Sequence, residues 1–258
     1  MDKNFNQNLK PISLQLHSVR EDLKKDLPGT MKKISAIGYR LVQPAGFFNL
    51  APREFKKIAN DFGLEIITSH SPKARVADLN AAIDQAGELE LDMLMFGCLQ
   101  EEFQDLDTIK RVAEQVNHTA VRLKKAGLGL YMHNHYWEFE RISGRLKYDI
   151  FAELCPTVKF EIDAYWAANF GAEDPAAMVR RFAGRIMLLH IKDGSLVKGA
   201  PMTAVGAGRL DIPAIIAATP EQNREVIVEL DSCATDMFMA VKASFDYLTG
   251  NQLAYAGK

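Results

Sequence analysis

Six histidines occur in this chain, and five of them sit near the C-terminal ends of short apolar runs. His17 lies in ISLQLHS, His70 in LEIITSHS, His133 and His135 in LGLYMHNH, and His190 in IMLLHIKD. Two carboxylates end similar runs, Asp163 in VKFEID and Glu229 in EVIVEL. Imidazoles and carboxylates are the side chains that bind divalent ions and carry protons near neutral pH. Their repetition where buried strands emerge predicts a convergent polar pocket with metal-binding and acid–base capacity. Scattered surface polarity would place several histidines in helices, and only His118 falls in one of the helical segments.

The elements that must position these groups alternate strand and helix eight times. Predicted strands are 12–17, 39–44, 64–70, 91–97, 128–135, 158–163, 186–193 and 225–231. The clearest helix is 106–125, with Ile109, Val112, Val116, Ala120 and Leu123 three or four apart and Gly127 as its stop. A last helix is predicted over 235–248, with Asp236 early and Gly250 just beyond. Eight such units of about 30 residues predict a closed (β/α)8 barrel, a TIM barrel of α/β class, spanning 1–258 as one domain. An open doubly wound sheet is the rival fold. It is disfavoured because the first β-α turn, HSVRED, contains no glycine. Two connections stand out by length, 136–146 and 194–210, and long connections serve as functional covers or lids.

Successive strand residues face opposite sides. Tyr131, His133 and His135 share one face, as do Glu161 with Asp163, Ile227 with Glu229 and Asp231, and Gln15 with His17. The apolar alternates can pack on helices, which leaves the polar set to the barrel interior. Leu188, His190 and Lys192 share a face and fit this phase less cleanly. His133, Asp163, His190 and Glu229, from four consecutive strands, would suit one divalent ion: Mn²⁺, Co²⁺, Mg²⁺ or Zn²⁺. Plainer roles compete. Asp163 and Asp231 can cap the helices that follow them, Glu161 can pair with Lys159 or a neighbour at the barrel bottom, and Lys192 can pair with Asp193. Trp166 and Phe170 serve equally as core or as a substrate platform. The VGAGR run at 205–209 reads as a turn into the next helix, since no strand directly precedes it. Cys98 has no evident base partner, which argues against a cysteine nucleophile.

Composition narrows the class. The 258 residues are 48% hydrophobic and 25% charged, which is ordinary for a globular protein. A net charge of -2 gives no basic footprint for nucleic acid or anionic membrane. Three dispersed cysteines without a CxxC fit a reducing compartment, the N-terminal MDKNFNQNLK lacks a signal-peptide core, and no apolar stretch approaches the roughly 20 residues of a spanning helix. The expectation is a cytoplasmic protein.

The stretches ISLQLHSVREDLKKDLPGTMKKISAIGYRLVQPAG, YMHNHYWEFE, FEIDAYWAANFGAEDP, GRIMLLHIKD, VGAGRLDIPAII and VIVELD together resemble the sugar phosphate isomerase/epimerase family, within the xylose isomerase-like TIM-barrel superfamily, almost end to end. The resemblance implies a metal site with Glu, Asp, His and Glu from strands five to eight. The last three fall on Asp163, His190 and Glu229, and the first on His133, in HNH where many relatives have ENH. Gln43, in VQPAG, also stands where relatives often have a carboxylate. Ketose 3-epimerases of the superfamily use two glutamates on opposite faces of a sugar carbon, so here Glu229 is the expected base and His133 or Glu138 its counterpart. His17, Gln43, His70, Asn134, His135, Trp166 and Lys192 are the expected sugar contacts. The leading expectation is a metal-dependent isomerase or epimerase acting through an enediolate on a small sugar, with a homodimer as the assembly. A lyase of the inosose dehydratase or 3-keto-glycoside type is the alternative, since elimination needs only one base. A non-catalytic sugar-binding barrel, motivated by His133 and Gln43, is the third.

Overall fold

The computed structural model describes residues 9–75 and 78–257. Among them, eight strands form one curled sheet in which every pairing is parallel. Around the barrel wall the order is Leu41–Gln43, Pro11–Gln15, Val226–Val228, Ile186–Ile191, Lys159–Asp163, Gly129–His133 and Met93–Gly97, with the short Tyr255–Ala256 strand also on Pro11–Gln15. Helices wrap the outside, as a parallel sheet buried on both faces requires. The predicted TIM barrel is therefore the observed fold.

The third predicted strand, 64–70, does not form a continuous ladder. It closes the ring by isolated bridges, Leu41 to Glu65 and Lys73 to Met95. The residues there are Thr68, Ser69 and Ser71, whose short side chains compete with ladder bonds for nearby backbone groups. Ser69 Oγ donates to the carbonyls of Pro44 (3.2 Å) and Ser71 (2.5 Å), while Tyr131 Oη donates to Ser69 O at 2.7 Å. The bend places His70 at the barrel mouth.

The helix Leu106–Lys125 has its predicted boundaries, is capped by Asp105 and buries Ile109, Val112, Val116 and Leu123. The last helix is Met237–Gly250, two residues later at each end than predicted, because Asp236 accepts the Met239 N–H and so caps it.

Most apolar side chains pack between sheet and helices. A separate small cluster, Met95, Tyr131, Leu188 and Ile227, fills the barrel interior. Leu188 therefore obeys the same inward phase as His190: it belongs to an apolar layer beneath the polar one. Also inside the barrel is a buried polar chain. Gln15 Nε2 donates to Gln43 Oε1 (2.7 Å), Gln43 Nε2 donates to Thr68 Oγ1 (3.1 Å), and Thr68 Oγ1 donates to Glu225.

Burial pushes the Glu225 carboxyl up to about 7, against hydrogen bonds from Thr68 and Ser13 that favour the ionised form. The folded state therefore prefers the neutral acid. Its contribution is complete below the ordinary glutamate value and is lost as pH rises through about 7. Glu225→Gln keeps an acceptor for Thr68 and abolishes the titration. In urea denaturation, the variant should gain on the native chain by ~3 kcal/mol between about pH 4.5 and pH 7, at 1.36 kcal/mol per pKa unit. A pH-independent difference would refute this assignment.

Candidate active site

The C-terminal ends of the strands surround a cleft of about 440 Å³. His17, His70, His133, His135, Trp166, Lys192 and Glu229 line it, together with Lys73, Trp137 and Asp231. Seven of the residues singled out in the sequence thus converge on one cavity. Lys73 and Trp137 carried no periodic signal, because both lie in irregular connections.

The cleft floor is organised around Lys192. Its side chain is 1% exposed, and its Nζ lies 2.8 Å from Glu229 Oε2, 2.7 Å from Asp231 Oδ2 and 3.0 Å from Asp163 Oδ2. The expected pairing with Asp193 is not made. Asp193 instead accepts the backbone N–H groups of Gly194, Gly206, Gly208 and Leu210 at 2.8–3.2 Å. Gly206 has φ +87°, and a Cβ on Gly208 would lie 2.0 Å from Asp193 Oδ1, so this wrap requires both glycines. VGAGR is thus a turn, as predicted, and its amides are spent on the chain's own carboxylate. The connection after Ile186–Ile191 also contains a hairpin, Asp193–Gly194 with Met202–Thr203, and Lys198 sits over the Tyr136 ring at 4.8 Å. These contacts pin the connection in place.

Burial alone would push the Lys192 ammonium down, but Asp163, Asp231 and Glu229 outweigh burial and hold it well above the ordinary lysine value. Burial likewise pushes Glu229 up, and is outweighed by the Lys192 ammonium and the His190 hydrogen bond, which keep the carboxyl well below its usual range. For Asp163 burial prevails and the carboxyl is raised despite Lys192. Asp163 Oδ1 accepts the Trp166 N–H at 2.9 Å, the capping role expected for it, while Oδ2 faces the Lys192 ammonium at 3.0 Å. Asp231 is not the cap of the last helix; Asp236 is.

A second cluster lies alongside. Glu161, fully buried, takes a hydrogen bond from Gln43 Nε2 at 2.7 Å and contacts His70 Nε2, His133 Nδ1 (3.2 Å) and His190 Nε2 (3.2 Å). The expected pairing of Glu161 with Lys159 or at the barrel bottom is thereby overturned. Its inward phase was legible, but only the fold brings the His70 connection across to it. Burial pushes Glu161 up, and His190 and His70 outweigh this to hold it well below the carboxylate range. His190 Nδ1 faces Glu229 Oε2 at 2.9 Å and Nε2 faces Gln43 Oε1 at 2.7 Å. Burial would lower His190, but Glu161 and Glu229 raise it to about 10, so both nitrogens donate. Burial drives His133 well below the ordinary histidine value, leaving a neutral imidazole whose Nδ1 has no hydrogen-bond partner.

The donor set fits a metal ion. His133, Asp163, His190 and Glu229 are buried, and each offers one ligand atom within 4.8 Å of the others. A neutral His133 and the carboxylates of Asp163 and Glu229, which can balance a double positive charge, are what a divalent ion requires.

Two expected sugar contacts, Asn134 and Gln43, and one expected acid–base residue, Glu138, lie outside the cavity wall. Asn134 is fully buried, and its amide bridges both backbone groups of Asp163, at 2.9 and 3.1 Å. Gln43 lies in the polar chain beneath. Glu138 is fully buried behind His135, whose backbone N–H it accepts at 2.8 Å. The His135 ring stacks on Trp137 at 4.0 Å, and Lys192 Nζ sits 5.3 Å from the Trp166 ring centre. Cys98 is buried and its thiol is pushed well up by that burial, consistent with an inert side chain.

Lys192→Met would leave three carboxylates facing one another without their cation. Removing one partner of a buried ion pair costs about 3–5 kcal/mol, and urea denaturation of this variant should show a loss of that size. A loss below about 1 kcal/mol would show that the ammonium does not hold this floor together.

No curated protein matches the sequence. Among solved structures, a sugar phosphate isomerase/epimerase from Parabacteroides distasonis is similar at 24% identity and TM-score 0.78, over 98% of both chains. An L-ribulose 3-epimerase is similar at 17% identity and TM-score 0.68, covering 95% of each chain. A probable 3-DHS dehydratase from Bacillus anthracis is similar at 13% identity and TM-score 0.66, over 93% of this chain and 98% of its own. Each likeness is one of fold. No helix among the described residues is long and apolar enough to cross a membrane. The sequence profile of one family matches residues 31–231, and with the barrel and its strand-end cleft it places this chain in the xylose isomerase-like TIM barrel family.

Proposed function

We propose that this protein is a metal-dependent isomerase or epimerase of a small sugar or keto-sugar, acting by proton transfer next to a carbonyl. The observation that carries the reading is Glu229. It is a nearly buried carboxylate on the wall of a sugar-sized cleft, held ionised by Lys192 and flanked by His133. His133, Asp163, His190 and Glu229 would hold the ion, which when bound supplies Lewis-acid polarisation of a carbonyl oxygen. The chain's own groups do the rest. Glu229 accepts the proton α to the carbonyl, and neutral His133 is its counterpart. Lys192 donates to oxygen where negative charge develops. His17, His70 and His135 face the hydroxyls, and the Trp166 and Trp137 rings cover the sugar's apolar surface and exclude water. The ion pair with Lys192 must loosen as substrate enters, because a carboxylate held this far below neutrality is a weak base.

One observation favours a lyase on the same barrel. Glu229 is the carboxylate on the cleft wall within reach of neutral His133, whereas the other expected carboxylate, Glu138, is turned away behind His135. A single base suffices for removing an α proton and expelling a β-leaving group.

The test is solvent exchange. Metal-supplemented protein is incubated in D₂O with a panel of ketoses and 3-keto-glycosides and followed by NMR. Deuterium should enter the α position, and Glu229→Gln should slow entry by about 10²–10⁴-fold. An absorbing enone in place of exchanged ketose would select the lyase. Neither exchange nor enone with any substrate would overturn both readings.

A further inference from the structure

The polar layer of the barrel contains two overlapping donor sets, not one. The first is the strand-end set already described. The second is His70, His133, Glu161 and His190, whose ligand atoms also lie within 4.8 Å of one another. The two share His133 and His190 and differ in the rest: Asp163 and Glu229 on one side, His70 and Glu161 on the other.

The imidazole of His190 stands between them. Its Nδ1 faces Glu229 Oε2 at 2.9 Å, and its Nε2 faces Glu161 Oε1 at 3.2 Å. One ring thus presents a nitrogen to each set. On the Glu161 side, His70 Nε2 and His133 Nδ1 converge on the same oxygen, Oε2. His133 is 7% exposed, and its Nδ1 lies 3.2 Å from this carboxylate without a well-aligned hydrogen bond to it. Among the described residues the ion pairs of Glu161 are to these three imidazoles, with no lysine or arginine. Glu161 is fully buried, and the rings that face it are imidazoles whose positive charge a divalent ion can replace. His70 also lines the cleft, which gives an ion a route in.

We propose that His70, His133, Glu161 and His190 form a second divalent-cation position, distinct from the strand-end set. Three imidazoles and one carboxylate make it nitrogen-rich, so it takes Zn²⁺ or Co²⁺ in preference to Mg²⁺ or Mn²⁺, which favour oxygen ligands. Gln43 contributes by holding Glu161 in place: its Nε2 donates to Oε1 at 2.7 Å, the outer-shell contact that ligating carboxylates need. The position exists whether or not the cleft acts on sugars.

The test uses the full chain and Zn²⁺ alone, with bound metal measured after equilibrium dialysis. Asp163→Asn/Glu229→Gln disables the strand-end set, and His70→Asn/Glu161→Gln disables the other. The first double variant should retain about one equivalent of Zn²⁺, and the second should bind Zn²⁺ at that position at least about 100-fold more weakly. Loss of all Zn²⁺ from the first variant, or undiminished Zn²⁺ binding by the second, would overturn the proposal. Circular dichroism reports whether each variant folds. If a double variant does not, the single variant His70→Asn is titrated with Co²⁺ and read by its visible spectrum. A shifted or weakened Co²⁺ spectrum supports the assignment of His70, and an unchanged spectrum overturns it. Neither readout involves turnover, so failure here and failure of the sugar reading remain distinguishable.

Discussion

A lysine ammonium at 1% exposure organises this barrel mouth. Lys192 follows the strand Ile186–Ile191, and the carboxylates it holds follow or end the strands on either side: Asp163 on one, Glu229 and Asp231 on the other. An ion buried this deeply is tolerated only when its partners surround it, and its partners are tolerated only while it remains. The arrangement therefore ties three neighbouring strand ends into one electrostatic unit. The same carboxylate oxygens are those a divalent ion would use. Lys192 and a metal draw on one pool of negative charge, and the cleft's chemistry depends on how that pool is shared.

Beneath this unit the barrel interior is layered. Met95, Tyr131, Leu188 and Ile227 form an apolar plug, and the imidazoles and Glu161 lie toward the mouth. The layering follows from the two-residue strand period: Leu188 and His190, or Ile227 and Glu229, face the same way one step apart. The plug excludes water from below, so the charges above it interact in a poorly screened environment. That is why His190 is driven up to about 10 between Glu161 and Glu229 while His133, a neighbouring ring, is driven down to neutrality by burial.

The connections finish the site. The Asn134 amide locks the end of Gly129–His133 to the backbone of Asp163, which fixes His133 and Asp163 relative to each other. The Asp193 carboxylate gathers the amides of the Gly206–Leu210 turn and fixes that part of the long connection. Neither residue reaches the cleft, yet both set where its walls stand.

The alternation of strand and helix, the inward phase of His133, Asp163 and Glu229, and the bounds of the Leu106–Lys125 helix were all legible from the order of residues, because each depends on periods of two or 3.6 and on neighbours a few positions away. What the linear order could not supply were pairings between groups remote in sequence. Lys192 chose Asp163, Glu229 and Asp231 over adjacent Asp193 because strand order, not sequence proximity, set the distances. Glu161 gained His70, 91 residues away, because Ser69 and its neighbours bent the third segment inward instead of continuing a ladder. The sequence by itself determined the barrel and the roster of inward-facing groups, since local periodicity dictates both. Only the tertiary structure decided which of those groups share a charge, because electrostatic partnership depends on distance and burial after the ring has closed.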